Sequence, residues 1–484
     1  MRRLVALLLV LAPVATARAE DVPVAGERLL LRPRRATVTL VDPAIAAPFV
    51  APAGGSVIVA GGAGAGQCHF ETRLEADGWR ELRGDGEHYG YFYRGERASG
   101  IDWILLRPGR VSIHGNAAAW GCNLTGAQRQ PLRAELRFDE RRYCAVFTDA
   151  MANAGGRYLA LFSDKPDECA KTDVTAVTLN ILHGVSGLGC SQTANCRLAE
   201  RVELLFRWIQ DHECPDVATF QEVSTAAAAF IQQQAEIACP FAYNIAYQRI
   251  TGVDDAIILS RYPIVATEQR PLQNNFRRVT MATIDHPTGP LQVFTTHLAS
   301  GSDGASTPCG ANCAAACIAA GAPTIRDCQA VQTAAYVAER HAGIRSLALL
   351  TGDFNESPGS FVYQQFTGRG WRDVYFDAGN PECEPSTGVG CTSGRADEEL
   401  TELESPESNE SERIDYIFLV PPLPASPCTG AIDPALDEDG DGIATRLFTD
   451  DPNPFVAACG PAPLDICWPS DHEGVELDVN CGSF

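Results

Sequence analysis

The chain has 484 residues, 61 acidic side chains against 38 basic ones, and a formal charge of −23. That length exceeds one ordinary core and implies two domains. So acidic a surface repels polyphosphates at long range, which excludes a broad basic nucleic-acid platform but leaves room for a locally positive or metal-loaded cleft.

The first residues, Met1-Arg2-Arg3, precede an apolar run from Leu4 to Val14 and then Ala17-Arg18-Ala19. A positive start, an apolar centre and an Ala-x-Ala end read as a signal peptide over residues 1–19, cut near Ala19. A secreted protein, extracellular or periplasmic, is therefore expected, and loss of Arg2, Arg3 and Arg18 brings its charge to −26. The apolar run falls short of the ~20 residues a membrane span needs. No later stretch qualifies, so no integral membrane segment is expected. The 18 cysteines agree with export. They often fall in local pairs such as Cys190/Cys196 and Cys383/Cys391, and an even count reads as a disulfide framework. Zinc is the lesser alternative for Cys309, Cys313, Cys317 and Cys328, which have no histidine beside them.

Residues 20–172 form a β-rich accessory domain in this reading. RRATVTLVD, GSVIVAGG, EHYGYFYRG, IDWILLRPG, RVSIHG, LRAELRFD and YCAVFTD are short alternating runs separated by Gly, Pro and Asp. They predict a small all-β sandwich or barrel. Cys68, Cys122, Cys144 and Cys169 can supply two internal bridges. Tyr89, Tyr91, Phe92, Tyr93 and Trp103 are candidates for a carbohydrate or surface-binding face, although alternation favours core packing for most of them. GGAGAG at 61–66 lacks the spacing and the Lys-Ser/Thr of a phosphate loop. Asn123-Leu124-Thr125 is a glycosylation sequon.

The texture changes near Asp173. TAVTLNIL reads as a strand, Arg197 to Trp208 as an amphipathic helix, DVATFQEV as a second strand and Thr225 to Ala235 as another helix. Further strands (DDAIILSRYPIV, RRVTMATID, LQVFTTHL), a helix from Arg326 to Arg340 and the strand SLALLTGDFN predict a layered α/β domain over 173–484 with mixed or antiparallel sheets. Insertions fall near 301–328, 383–412 and 428–467. The acidic run within 397–412 reads as a solvated loop. DEDGDG places Asp437, Asp439 and Asp441 as in the first half of a calcium loop, a possible structural Ca²⁺ site, although Phe448 stands where the closing glutamate belongs.

Polar residues recur where apolar runs end. Asn180 closes VTLN, Glu222 follows DVATFQ, and His297 follows LQVFTT. Asp353 and Asn355 follow LALLTG, Asp415 precedes YIFLV, and Asp471-His472 precede GVELDV. Carboxylate, amide and imidazole groups gathered at strand ends suit attack on a phosphate.

The ordered motifs TLNILHG, FQEV, TTHL, TGDFNESPGS, RIDYIFL and SDHEGVELDV resemble the endonuclease/exonuclease/phosphatase superfamily. This resemblance implies a DNase I-like four-layer α/β sandwich and a Mg²⁺ (or Mn²⁺)-dependent phosphodiester hydrolase. Its roles map Glu222, with Asn180 and Asp471, onto the metal. They map His472 with Asp415 onto the base that activates water, Asp353 onto orientation of that water or a share of the base role, and Asn355 onto a phosphate contact. His297 would stabilise the far side or protonate the leaving oxygen, with Asp254 as its carboxylate partner and Asp255 as competitor. Arg277, Arg278 and Arg261 are candidate phosphate contacts. A secreted, monomeric nuclease acting on DNA or also RNA, without strong sequence specificity, is the leading expectation. A sphingomyelinase-like phospholipid phosphodiesterase is the alternative. A phosphomonoesterase, or a surface-binding protein with a retained catalytic scaffold, ranks lower.

Overall fold

The computed structural model describes residues 20–46, 52, 54–60, 68–84, 87–95, 100–116, 119–120, 122, 124, 127, 132–138, 141–163, 165–166, 169, 174–183, 194–251, 254–286, 289–301, 304–310, 313–342, 347–395, 400–420 and 443–479. Residues 1–19, the run at 61–66, Asn123, Thr125, Cys190 and the acidic residues Asp437, Asp439 and Asp441 lie outside these residues.

From Glu20 to Ser163 the described elements are strands, with a single 3₁₀ turn at Ala76–Gly78. They pair into a five-stranded and an eight-stranded sheet. Alternation decides which aromatic side chains enter the core between them. Tyr91 and Tyr93 are buried, while Phe92 and Trp103 are half-buried on the opposite face. Tyr89 is exposed, with the Arg107 guanidinium over its ring. Disulfides join Cys68 to Cys122 and Cys144 to Cys169.

The remainder is a four-layer sandwich. In chain order its strands are β1 (Val174–Asn180), β2 (Val217–Val223), β3 (Asn244–Tyr247), β4 (Asp255–Ser260), β5 (Ile264–Pro271), β6 (Arg278–His286) and β7 (Gly289–His297). They continue with β8 (Leu347–Asp353), β9 (Arg372–Asp373), β10 (Asp415–Val420), β11 (Ile443–Phe448) and β12 (Gly474–Val479). The helices are α1 (Ala194–Asp211), α2 (Thr225–Ile237), α3 (Ala315–Ala319), α4 (Ile325–His341), α5 (Phe361–Thr367) and α6 (Val374–Asp377). One sheet runs β3-β4-β2-β1-β12-β11 and the other β5-β6-β7-β8-β10-β9. Each has one parallel pair at its centre, β1 with β2 and β7 with β8. A parallel pair needs a long crossover, and α1 and α4 supply these two.

Both faces of each central strand are covered, which is why the strands read as unbroken apolar runs. Ile258 faces the opposing sheet, where Val293, Leu349 and Ile417 meet it. Its neighbours Ile257 and Leu259 turn outward to the cluster that includes α1 and α2. On the second sheet, Phe294, Leu350 and Phe418 pack under α4 and α5. Local chemistry fixes the helix starts. Ser224 and Ser360 cap α2 and α5 through their hydroxyls, and Thr324 forms a capping box with Asp327 at α4.

Disulfides staple the insertions. Cys309 pairs with Cys313, Cys317 with Cys328, Cys383 with Cys391 and Cys459 with Cys467, and Cys214–Cys239 ties α1 to α2. The four sulfurs weighed for zinc are thereby consumed. No described cysteine is free, as suits an oxidising, extracellular setting. No described helix is long and apolar enough to cross a membrane.

Candidate active site

Register lines up the site. His297 at the end of β7 pairs with Asp353 at the end of β8, and Asp353 pairs in turn with Asp415 at the start of antiparallel β10. Paired residues share a face, so all three side chains point toward the other sheet. Gly352 is required for this close pairing: its φ is +132°, and a Cβ there would stand 1.9 Å from the Thr296 carbonyl oxygen. Beneath the site hydroxyls and an amide bridge the sheets, Thr219 with Thr351 at 2.8 Å and Gln221 with Thr295 at 3.0 Å.

From the first sheet come Asn180 and Glu222. The register of β2 against β4 shifts between Phe220 and Val223, and Glu222 has φ +57°. Such a bulge re-aims a side chain at a functional position. Asn180 Nδ2 donates to Glu222 Oε1 at 3.1 Å and to Asp353 Oδ2 at 3.0 Å, while its Oδ1 accepts from the Leu182 N–H. The His183 N–H donates to Glu222 Oε2 at 3.2 Å.

His472 is held against Asp415, Nδ1 to Oδ2 at 2.9 Å, and both are buried. Burial disfavours charge on the ring, but Asp415, with Asp471 and Asp353 behind it, outweighs burial and raises the His472 pKa well above the ordinary value. Burial also pushes the Asp415 carboxyl up, to about 6, with Asp353 adding to the rise while His472 pulls it down. The Thr392 hydroxyl accepts the N–H groups of Ile414 and Asp415, and its carbonyl accepts that of Glu473, so one residue braces both sides of the dyad.

A second pair faces the first. His297 Nδ1 lies 3.1 Å from Asp254 Oδ1, and its Nε2 lies 3.3 Å from Asp353 Oδ2. Arg277 is paired with Asp254 and also lies 2.7 Å from His297 Nδ1. With its proton on Nδ1 the ring donates to Asp254; without it, the ring accepts from Arg277. Burial raises the Asp254 pKa, but His297, Arg277 and His183 outweigh it and hold the carboxyl at about 2. Burial and Arg277 press the His297 pKa down, and Asp254 and Asp353 carry it above the ordinary histidine value.

Of the two aspartates weighed for His297, Asp254 is the one in contact. Asp255 accepts from the backbone of Ile250 and Thr251. Asn355 sits in left-handed backbone, φ +54°, donates its N–H to Asp353 Oδ1 and gives an amide N–H to the Leu298 carbonyl. Asp471 is half-buried beside Ser470, whose hydroxyl donates to the Asn180 carbonyl. Arg261 lies at the opposite strand ends, against Asp216 and over Phe241. Sequence reasoning gave no role to His183, Thr392 or the buried Arg395. The last pairs with Glu410 and Glu473 and stacks 3.6 Å from the Trp468 ring centre. The acidic run around Glu410 is thus not wholly solvated, since Glu410 is 1% exposed.

A sequence model of the Endonuclease/Exonuclease/phosphatase family matches residues 177–472. The chain belongs to that family. Among curated proteins, no sequence matches it. It is similar to the solved structure of truncated TDP2 from Caenorhabditis elegans, at 16% identity and TM-score 0.42, over 64% of this chain and 97% of that one. It is also similar to a mannosyl-6-phosphatase from Bacteroides thetaiotaomicron, at 17% identity and TM-score 0.42, over 63% and 98%. A third is TDP2 from D. rerio complexed with single strand DNA product, at 17% identity and TM-score 0.42, over 64% and 100%.

Family membership implies a divalent cation, and the donor chemistry fits one. Glu222, Asp353 and Asp415 converge, yet their ion-pair partners among the described residues are histidines only. Asp415 Oδ1 is buried without a hydrogen-bond partner. Hard oxygen donors and a deficit of positive charge suit a cation of the Mg²⁺ type.

Proposed function

We propose that this family member is a secreted phosphodiesterase that hydrolyses DNA, using Mg²⁺ held by Glu222 with Asn180 and Asp471. One observation carries the reading. Two histidine–carboxylate pairs face each other across a single oxygen: Asp353 Oδ2 is 3.3 Å from His297 Nε2 and 4.0 Å from His472 Nε2. A base on one side and a proton donor on the other is what in-line displacement at phosphorus requires.

Asp415 fixes the His472 ring with Nδ1 protonated, so Nε2 is the basic atom. Water gives a proton to that Nε2 as its oxygen bonds to phosphorus. The bond from phosphorus to the leaving alkoxide breaks, and the alkoxide takes a proton from His297. Asp254 and Arg277 hold the His297 ring, Asp353 orients the water, and the remaining amide N–H of Asn355 meets a phosphate oxygen. The cation, when bound, neutralises charge developing on the phosphate oxygens. Arg278 adds a positive charge beside His297, which favours a polyanionic strand over a zwitterionic lipid head.

The test sets purified mature protein with Mg²⁺ against supercoiled DNA and sphingomyelin in parallel, with EDTA and His472→Ala as controls. DNA nicking that EDTA and the variant abolish, with silent lipid, is the expected result. Lipid hydrolysis with intact DNA would overturn it.

A further inference from the structure

Beside His297 lies a partly open cleft lined by Gln269, Phe276, Arg278 and Thr280. Its inner wall follows from register. Gln269 on β5 pairs with Thr280 on β6, and Thr280 with Thr295 on β7, so Gln269 shares the face that carries His297 two residues further on. Arg278, two residues before Thr280, lies on that face too. Among the described residues, Gln269 Oε1 and Arg278 Nε are buried with no hydrogen-bond partner. A buried acceptor and a buried donor left open in one cleft cost free energy unless a ligand meets them.

The other charges of the cleft are already matched. Arg277 is paired with Asp254, and Asp255 accepts from the Thr251 N–H at 2.8 Å, the Thr251 hydroxyl at 3.1 Å and the Ile250 N–H at 3.2 Å. Phe276, 58% exposed, lines the same cleft from the β5–β6 hairpin. That hairpin is pinned to α4: the Gln273 N–H donates to Gln332 Oε1 at 2.6 Å, and Gln329 Nε2 donates to the Gln273 carbonyl at 2.9 Å. An exposed aromatic on a fixed hairpin is a stacking surface.

We propose that this cleft binds the nucleobase flanking the scissile phosphate on the His297 side. The base stacks on Phe276, donates an N–H to Gln269 Oε1 and accepts from Arg278 Nε–H. An unpaired nucleobase offers a donor and an acceptor on its Watson–Crick edge. A trimethylammonium head offers neither and is repelled by Arg278. The inference rests on the nuclease reading and deepens it, because it makes the base a binding determinant beside the phosphate.

The test measures binding of adenosine monophosphate and of ribose 5-phosphate to the full mature chain with Mg²⁺, by calorimetry. Wild-type protein, Phe276→Ala and Gln269→Leu are compared. Wild type is expected to bind the nucleotide roughly tenfold more tightly than the sugar phosphate, the effect of one base–aromatic stack. Phe276→Ala, at an exposed position, should remove most of that advantage and leave sugar-phosphate affinity unchanged. Gln269→Leu should remove part of it. Equal affinities in wild type, no nucleotide binding, or an advantage that survives both substitutions would overturn the assignment. Cleavage of supercoiled DNA is scored separately: nicking without a base advantage sinks the cleft alone, whereas lipid hydrolysis with intact DNA sinks the nuclease reading as well.

Discussion

Asn180 Nδ2 donates to Asp353 Oδ2 at 3.0 Å, and these two residues belong to different sheets. The same amide holds Glu222, so one side chain sets the spacing between the proposed metal ligand and the water-orienting carboxylate. Asn180→Leu fills the space and leaves two acceptors without their donor. It should cost about 1–3 kcal/mol of stability and lower kcat more than it changes KM. Denaturant unfolding and steady-state kinetics check this, and an unchanged kcat would remove Asn180 from the site.

Asp415→Asn should lower kcat by roughly 10²- to 10⁴-fold, the usual scale of general-base catalysis. It should also shift the acid limb of the pH–rate profile. The working form of His472 is the neutral ring, so rate rises with pH as the ring loses its proton. Asp415 is the main group raising that pKa. Its removal therefore moves the limb to lower pH. A limb that stays in place would show that another group controls it.

Thr392 accepts both the Ile414 and Asp415 N–H groups through one oxygen. Thr392→Val keeps the shape and removes that acceptor, with an expected loss of about 1–3 kcal/mol. Thr392→Ser keeps the acceptor and should retain most activity. Equal effects of the two substitutions would mean that the methyl group, not the hydroxyl, matters.

Arg395 stands between two buried carboxylates. Burial raises Glu410 to about 8 and Glu473 to about 7, each also raised by nearby carboxylates and partly restored by Arg395. A carboxyl whose pKa is raised on folding favours the folded state while protonated. Stability should therefore fall as pH rises from the unfolded value near ~4.5 through 7 to 8. Thermal unfolding is expected to give a lower Tm at pH 8.5 than at pH 5.5. Arg395→Gln, which breaks a buried pair, should cost about 3–5 kcal/mol at the higher pH and less at the lower. A Tm independent of pH in both proteins would contradict this.

The sequence by itself determined the all-β character of the N-terminal region, most central strands and the three long helices of the sandwich, and the polar residues that end its apolar runs; β11, read as part of the insertion 428–467, instead joins the edge of a sheet. Strands buried on both faces must be apolar throughout, so each interruption by Asn180, Glu222, His297, Asp353 or Asp415 was visible along one dimension. What lay beyond it were choices between chemically identical neighbours. Asp254 and Asp255 are adjacent, yet one meets His297 and the other a loop backbone. Arg277 is buried against Asp254, whereas Arg278 opens onto a cleft. Glu410 sits in a run that composition assigns to solvent, but Arg395, fifteen residues earlier, draws it inside. Only tertiary structure decided these, because burial and partner depend on which face of a strand meets which distant segment, and the order of residues along the chain does not carry that distance.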